Sequence, residues 1–204
     1  MGVCEGTQRV CSSLVRSPRS PHRSVTLGVH AVSIKVAKFL DVSAGLQPDQ
    51  FSVGSHDSIE SLNDLDPIYK QLLDEPIAVV LGLIGGDGRV NMTPMWFDYD
   101  GSQVLLNLAA HRKKIDWVRN NPQLSMLLVN PKNAYHWISI KSTVVEEISE
   151  DDPEKGPGVT AQLDRIWTKY TQQPPPYGLR DPAINERRVL FIANVDRVAT
   201  FGTP

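Results

Sequence analysis

From residue 56 onward, apolar and polar positions alternate between two periods. SIESLNDLDPIYKQLLDE carries Leu62, Leu65, Ile68 and Leu72 at helical spacing. This predicts one helix, or two short ones broken at Pro67. PIAVVLGLI is a continuous apolar run of strand length, and GGDG after it signals a tight turn. RVNMTPMWFDYD reads as the returning strand, with Pro94 marking an edge position or a bulge. Asp100-Gly101 predicts a second hairpin into QVLLNLA. A helix is expected over Lys113–Asn121, then a strand QLSMLLVN, a loop NPKNAY and a long strand HWISIKSTVVEEI.

DDPEKGPG reads as a surface loop. In VTAQLDRIWTKY, Val159, Leu163, Ile166 and Tyr170 form one helical stripe. TQQPPPYGLRDP is too rich in proline for regular structure, and RRVLFIANVDRVATFG gives one or two closing strands. Six or seven strands joined mostly by short turns, with two or three helices between them, predict a mainly β fold. The expected form is an antiparallel, closed or half-closed barrel with flanking helices.

Residues 1–55 differ. MGVCEGTQRVCSSLVRSPRSPHRS is rich in Ser and Arg and holds one acid, Glu5. The segment is expected to be an N-terminal extension, either disordered or the product of a start placed too early. An organellar transit peptide is also compatible with its composition. Within it, VSIKVAKFL alternates partly and can form an isolated strand. The barrel domain is expected to span 56–204.

Composition narrows the function. The 204 residues are 41% hydrophobic, enough for one domain with a core. No run of about 18 apolar residues predicts a membrane helix. The net charge of −2 gives no general case for nucleic-acid binding. Both cysteines, Cys4 and Cys11, fall in the extension, so neither a disulfide framework nor a cysteine metal site supports the fold. A cytoplasmic setting is expected.

The chemistry-bearing anomaly is AAHRKKIDWVRNNP. Arg112, Lys113 and Lys114 stand where a helix begins, although cations there are disfavoured by roughly 0.3–1 kcal/mol each. No Ser, Thr, Asp or Asn caps the amides. An anion would resolve both conflicts, and solvent exposure of a basic loop is the plain alternative. His111 and His136 have no Cys or acid at metal-ligand spacing. GGDG lacks the Lys-Ser/Thr of a phosphate loop, and Ser125 and Ser139 have no neighbouring base. If the protein is an enzyme, its reactive group belongs to a cofactor.

PIAVVLGLIGGDGRVNMTPMWFDYDGSQVLLNLAAHRKKIDWVRNNPQLSMLLV resembles the pyridoxamine 5′-phosphate oxidase-like, FMN-binding split β-barrel superfamily, and looks most like its F420-dependent branch. The order carries the likeness: an apolar strand, DGR, a TP-hydrophobic-WF segment, DG, then a basic pair opening a helix that ends in Asn-Pro. NPKNAYHWISIKSTVVEEI and ERRVLFIANVDRV resemble the strands that follow, so the likeness spans about residues 58–202.

The resemblance implies a homodimer that binds FMN or the deazaflavin F420 in a groove between protomers. Lys113 and Lys114 fall on the family's Arg-Lys pair and would hold the cofactor's phosphate. Arg112 stands where a Ser is common and would suit an acidic polyglutamate tail. Val90, Asn91, Met92 and Thr93 match the strand whose backbone lies along the ring, and Pro94 and Trp96 match its continuation. Leu108 replaces a Thr that often binds phosphate, which weakens the FMN alternative. No catalytic side chain and no metal site are implied.

The expected activity is F420-dependent hydride transfer to a small organic substrate. The alternatives are an FMN-dependent oxidase or reductase, and a non-catalytic flavin, F420 or haem binding or storage protein. A haem role would lean on His111 or His136. Residues 131–136 and 172–182 are expected to contact substrate. Tyr177 and Arg180 can cap the pocket, and Tyr135 and Trp137 can line the groove or an interface.

Overall fold

The computed structural model describes residues 33–39 and 55–204. Apart from 33–39, the expected extension up to residue 54 lies outside the described residues. The core element is β3 (Val79–Ile84), whose Val79, Leu81 and Leu83 are buried in the core and whose backbone is paired along both edges. It pairs antiparallel with β4 (Val90–Met95) on one side and β7 (Gln123–Asn130) on the other. The GGDG turn closes as expected. The Gly85 amide donates to the Arg89 carbonyl at 2.8 Å, and Gly88 supplies a φ of +78°.

The strand order is β2-β1-β9-β8-β7-β3-β4, with β6 bound to β9 and β5 to β6. Here β1 is Ile34–Lys38, β2 Ser55–Ile59, β5 Asp98–Asp100, β6 Gln103–Ala109, β8 Asn133–Ser149 and β9 Arg188–Phe201. The long β9 pairs with β8 along most of its length. Its first half also pairs with β6, and its second half pairs with β1 in parallel. Register shifts in the β8–β9 ladder at Lys141/Ser142, where Asp196 of β9 is the extra residue, and at Val144/Glu146, where Val145 of β8 is, mark bulges that bend the ladder so that one strand can serve two neighbours. The result is the expected split β-barrel, with an open, mixed sheet.

Several local expectations change. Nine strands form among the described residues, not six or seven, and the β1–β9 pair is parallel. β1 lies upstream of the expected domain start near His56, and Ile34 is fully buried in the core. RVNMTPMWFDYD is two strands, because the chain turns at Trp96–Phe97 to bury Phe97. Pro67 does not interrupt a helix but starts one, α1 (Pro67–Asp74), where its missing N–H is no loss. A short 3-10 turn with a Ser61/Asp64 capping box precedes it. Pro94 sits on β4, at the end of the sheet path, as edge prolines should.

Three helices cover the sheet. α1 packs on β7 and β8, α2 (Lys114–Asn120) on β3, and α3 (Gly156–Thr171) on β6, β8 and β9. α3 begins three residues before the expected Val159, because Pro157 suits a first turn. The Val159, Leu163 and Ile166 stripe is buried against the sheet. Among the described residues, no helix is long and apolar enough to cross a membrane.

Candidate cofactor-binding site

A cleft of about 660 Å³ opens between β4, the end of β6, the start of α2, α3 and the loop leading into β9. Its size falls within the roughly 300–1,000 Å³ of small-molecule sites. One rim is basic. Arg112 and Lys113 are exposed, Lys114 is half-buried, and all three line the cleft. The cap residue of α2 is Lys113, and no side chain caps this helix. Among the described residues, no acid forms a salt bridge to any of the three. Burial first, and then the Arg112 charge, hold the Lys114 ammonium below its ordinary pKa. A group in that condition gains from any anion placed beside it. The donor set therefore fits a phosphate or carboxylate group.

The strand wall comes from β4. Because side chains alternate along a strand, Asn91 and Thr93 line the cleft, with Pro94, Met95 and Trp96 continuing the wall. Val90 and Met92 do not line it; their side chains face away and stand 59% and 65% exposed. So the structure brings together seven of the nine residues singled out from sequence and leaves those two outside. Trp96 is wedged among aromatics: it stacks on Tyr170 at 5.1 Å and meets the edge of Tyr177 at 6.4 Å.

The opposite wall is apolar, from Leu163 and Ile166 of α3 and Leu108 of β6. Tyr177 and Leu179 close it from the proline-rich loop, while Arg180 of that loop pairs with Glu150 instead. Residues 131–136 contribute nothing to the lining. Tyr135 is 75% exposed, and Trp137 stacks on Phe201 away from the cleft. Neither His111 nor His136 lines the cleft; His136 is buried beside Tyr69. Among the described residues, no group of three or more His, Cys, Asp or Glu could hold a metal.

Sequence reasoning missed Asn107, Trp117, Glu186 and Arg188, which also line the cleft. Asn107 did carry a signal, as the polar residue set inside the apolar run VLLNLA. The structure buries it at 5% exposure and bonds it to Gln162 and Arg188. Arg188 and Glu186 pair with each other two residues apart, but nothing local placed them at the cleft, because the Asn107 contacts that hold Arg188 there lie far away in sequence.

Fold and cleft together define a split β-barrel protein with a cleft that is basic at one rim and walled by aromatic residues. Residues 65–201 match the family described as pyridoxamine 5′-phosphate oxidase, and the chain belongs to that family. Among solved structures, it is similar to an F420 reductase at 19% identity, covering 66% of this chain and 98% of that one with a TM-score of 0.54. A conserved hypothetical protein from Mycobacterium tuberculosis aligns at 21% identity over 64% of this chain and 80% of its own, TM-score 0.44. The heme storage protein HutZ from Vibrio cholerae aligns at 14% identity over 66% and 92%, TM-score 0.46. Comparison with curated proteins gives no match.

Proposed function

We propose that this protein is an oxidoreductase that binds coenzyme F420 in the cleft and acts on a small organic substrate. The observation that carries the reading is the Arg112, Lys113 and Lys114 cluster, three cations without an acidic salt-bridge partner among the described residues, at the mouth of an aromatic-walled cleft. Such a cluster suits a ligand with one strongly anionic end and one planar, apolar end. Three positive charges suit a phosphodiester with trailing carboxylates better than a lone phosphate. Leu108, apolar and 5% exposed, offers no hydroxyl to a phosphate monoester.

In this reading Lys113 and Lys114 hold the phosphate, and Arg112 meets the acidic tail. The backbone of Val90–Thr93 lies along the ring edge, with Asn91, Thr93, Pro94 and Trp96 as its wall. Reduced F420, when bound, supplies a hydride. The chain's own residues position the ring, neutralise its charged end and keep water from the ring face. The absence of both histidines from the cleft lining favours this over an axially ligated haem. The reading includes a homodimer, with the exposed apolar side of β4 against a second copy.

Side-by-side titration of the purified protein with F420 and FMN tests the proposal. Tighter saturable binding of F420 supports it, and tighter FMN binding moves the activity to flavin chemistry. Binding of neither overturns it. A Soret band in the protein as purified would instead place it with the haem binders.

A further inference from the structure

Arg188 reaches the cleft from β9, with a side chain 11% exposed. Its Nε donates to Asn107 Oδ1 at 2.9 Å, Nη1 to Glu186 Oε1 at 2.7 Å, and Nη2 to the Asn107 carbonyl at 3.3 Å. A guanidinium presents five N–H donors in a planar fork. One N–H on each terminal nitrogen is therefore left over, on a group that lines the cleft. Tyr177 lies beneath it, with the guanidinium carbon 5.4 Å from the ring centre.

A buried relay sets this orientation. Arg165 donates from Nε and Nη2 to Asp98 Oδ2, at 3.1 and 3.0 Å. Gln162, 2% exposed, gives its Nε2 to the same oxygen at 3.2 Å. A flipped amide would set its carbonyl against the carboxylate, so Gln162 Oε1 must face the other way, where it accepts from Asn107 Nδ2 at 2.9 Å. That in turn leaves Asn107 Oδ1 for Arg188. Every amide in the series has one donor end and one acceptor end, so the direction is fixed from the surface to the cleft.

The two charged regions of the cleft differ in kind. Arg112, Lys113 and Lys114 have no acid in salt-bridge contact among the described residues. Arg188 is balanced by Glu186, whose side chain is 6% exposed. A balanced guanidinium offers directional donors with little net pull on an anion. In a cleft that Leu163 and Ile166 also line, it matches a neutral acceptor. We propose that Arg188 is a specificity-determining donor that reads a neutral carbonyl oxygen on a planar ring lying in the cleft. This rests on the cofactor reading of the same cleft and adds its second recognition point. The carbonyl has two sources, the dione edge of the cofactor ring and the substrate itself.

The test pairs Arg188→Met with Glu186→Met, because removing Arg188 alone strands a buried carboxylate. Circular dichroism checks the fold. If the double variant does not fold, Arg188→Lys keeps the charge beside Glu186 but loses the fork, and reads the same loss. The probes are lumichrome (a dione ring without phosphate), menadione (a planar carbonyl compound without that dione) and inorganic phosphate. The expected result is a loss of about tenfold or more for a carbonyl probe, with phosphate affinity unchanged. Loss for lumichrome alone assigns the carbonyl to the cofactor edge, loss for menadione alone assigns it to the substrate, and loss for both means either can occupy the position. Unchanged affinity for both overturns the inference, as does an equal loss for phosphate, which would make Arg188 a general cation. A parent protein that binds neither F420 nor FMN overturns the cofactor reading separately; Arg188 is then judged on lumichrome and menadione, and binding of neither overturns its role as well.

Discussion

Tyr170 and Trp96 lie face to face, their rings 8° from parallel and 5.1 Å apart. The Tyr170 hydroxyl also accepts from the Phe97 amide at 2.9 Å and donates to the Ile77 carbonyl at 2.9 Å. One side chain of α3 thus ties the chain just before β3 to the chain just past β4 and backs the tryptophan that walls the cleft. Tyr170→Phe keeps the stack but strands a buried amide and a carbonyl. We expect a loss of about 1–3 kcal/mol in chemical denaturation, with native secondary structure retained. Unchanged stability would mean that water replaces the hydroxyl.

The same hydroxyl gives the fold an alkaline limit. Burial pushes the Tyr170 pKa up to about 12 from 10.0; the hydrogen bond from Phe97 opposes this and the Asp98 charge adds to it. Between those two values the unfolded chain loses a proton that the folded chain keeps. Stability should therefore fall as pH rises above 10. Denaturation midpoints across pH 8.5 to 11 check this (roughly the window in which the unfolded tyrosine titrates), and Tyr170→Phe should flatten the slope.

Lys114 is the cation whose environment most clearly lacks an anion. Its ammonium is disfavoured first by burial and then by Arg112, and a phosphate beside it would remove that disadvantage. Lys114→Glu should weaken F420 or FMN binding by roughly a hundredfold or more. Its thermal midpoint should stay near the parent's, because no salt bridge is broken. Affinity in the parent should also fall with added salt, as for any binding set by exposed charge. An unchanged Kd in Lys114→Glu would move the anionic end of the ligand elsewhere.

Much of this was legible in the chain. Continuous apolar runs and glycine turns located the hairpins, because a strand's burial pattern and a turn's positive φ are local properties; Gly101 takes a φ of +57° in its hairpin. The basic cluster was legible because it breaks a local rule for helix starts. What stayed hidden depends on register. Arg188 meets Asn107 only because β6 and β9 pair antiparallel, with Asn107 opposite Leu190. Gln162 could have been noticed, since it shares the buried face of α3 with Val159 and Ile166, where an apolar residue is expected. Val90 and Met92 were expected at the cleft through their backbone, and which way their side chains turn follows from the alternation of the strand, which sends Asn91 and Thr93 into the cleft instead.

His136 sets an acid limit. Asn130 Oδ1 accepts from the Lys132 amide at 2.9 Å, so its Nδ2 is the atom that faces His136 Nδ1 at 3.1 Å. Nδ1 is then an acceptor, and the ring is neutral with its proton on Nε2. Burial lowers the folded pKa below 6.5. The unfolded chain therefore binds a proton that the folded chain refuses, and the His136 contribution should drop as pH falls below 6.5 and be constant above it. Urea titrations at pH 7.5 and 5 (either side of roughly 6.5, where an unfolded histidine titrates) measure the drop. His136→Phe should reduce it, and an unchanged slope would assign the acid sensitivity to other groups.

The last prediction concerns the far side of β4. This strand ends the sheet path, so one row of its backbone groups has no strand beside it among the described residues. Val90 and Met92 stand 59% and 65% exposed there, and Ile84, opposite Val90 in register, is 37% exposed. An exposed apolar edge strand invites association unless something covers it. Because Asn91 and Thr93 alternate with these residues and line the cleft, covering one side of β4 would stiffen the wall on the other. A second copy as the cover makes dimerisation and cofactor affinity linked quantities. Light scattering should give a dimer mass for the parent and a monomer mass for Met92→Glu, and the variant should bind F420 more weakly although it keeps Arg112, Lys113 and Lys114. A parent that stays monomeric at tens of micromolar (above the roughly micromolar weak end for a standard-size interface) would remove the dimer from the reading. A monomeric Met92→Glu with full affinity would show that the cleft is complete within one chain.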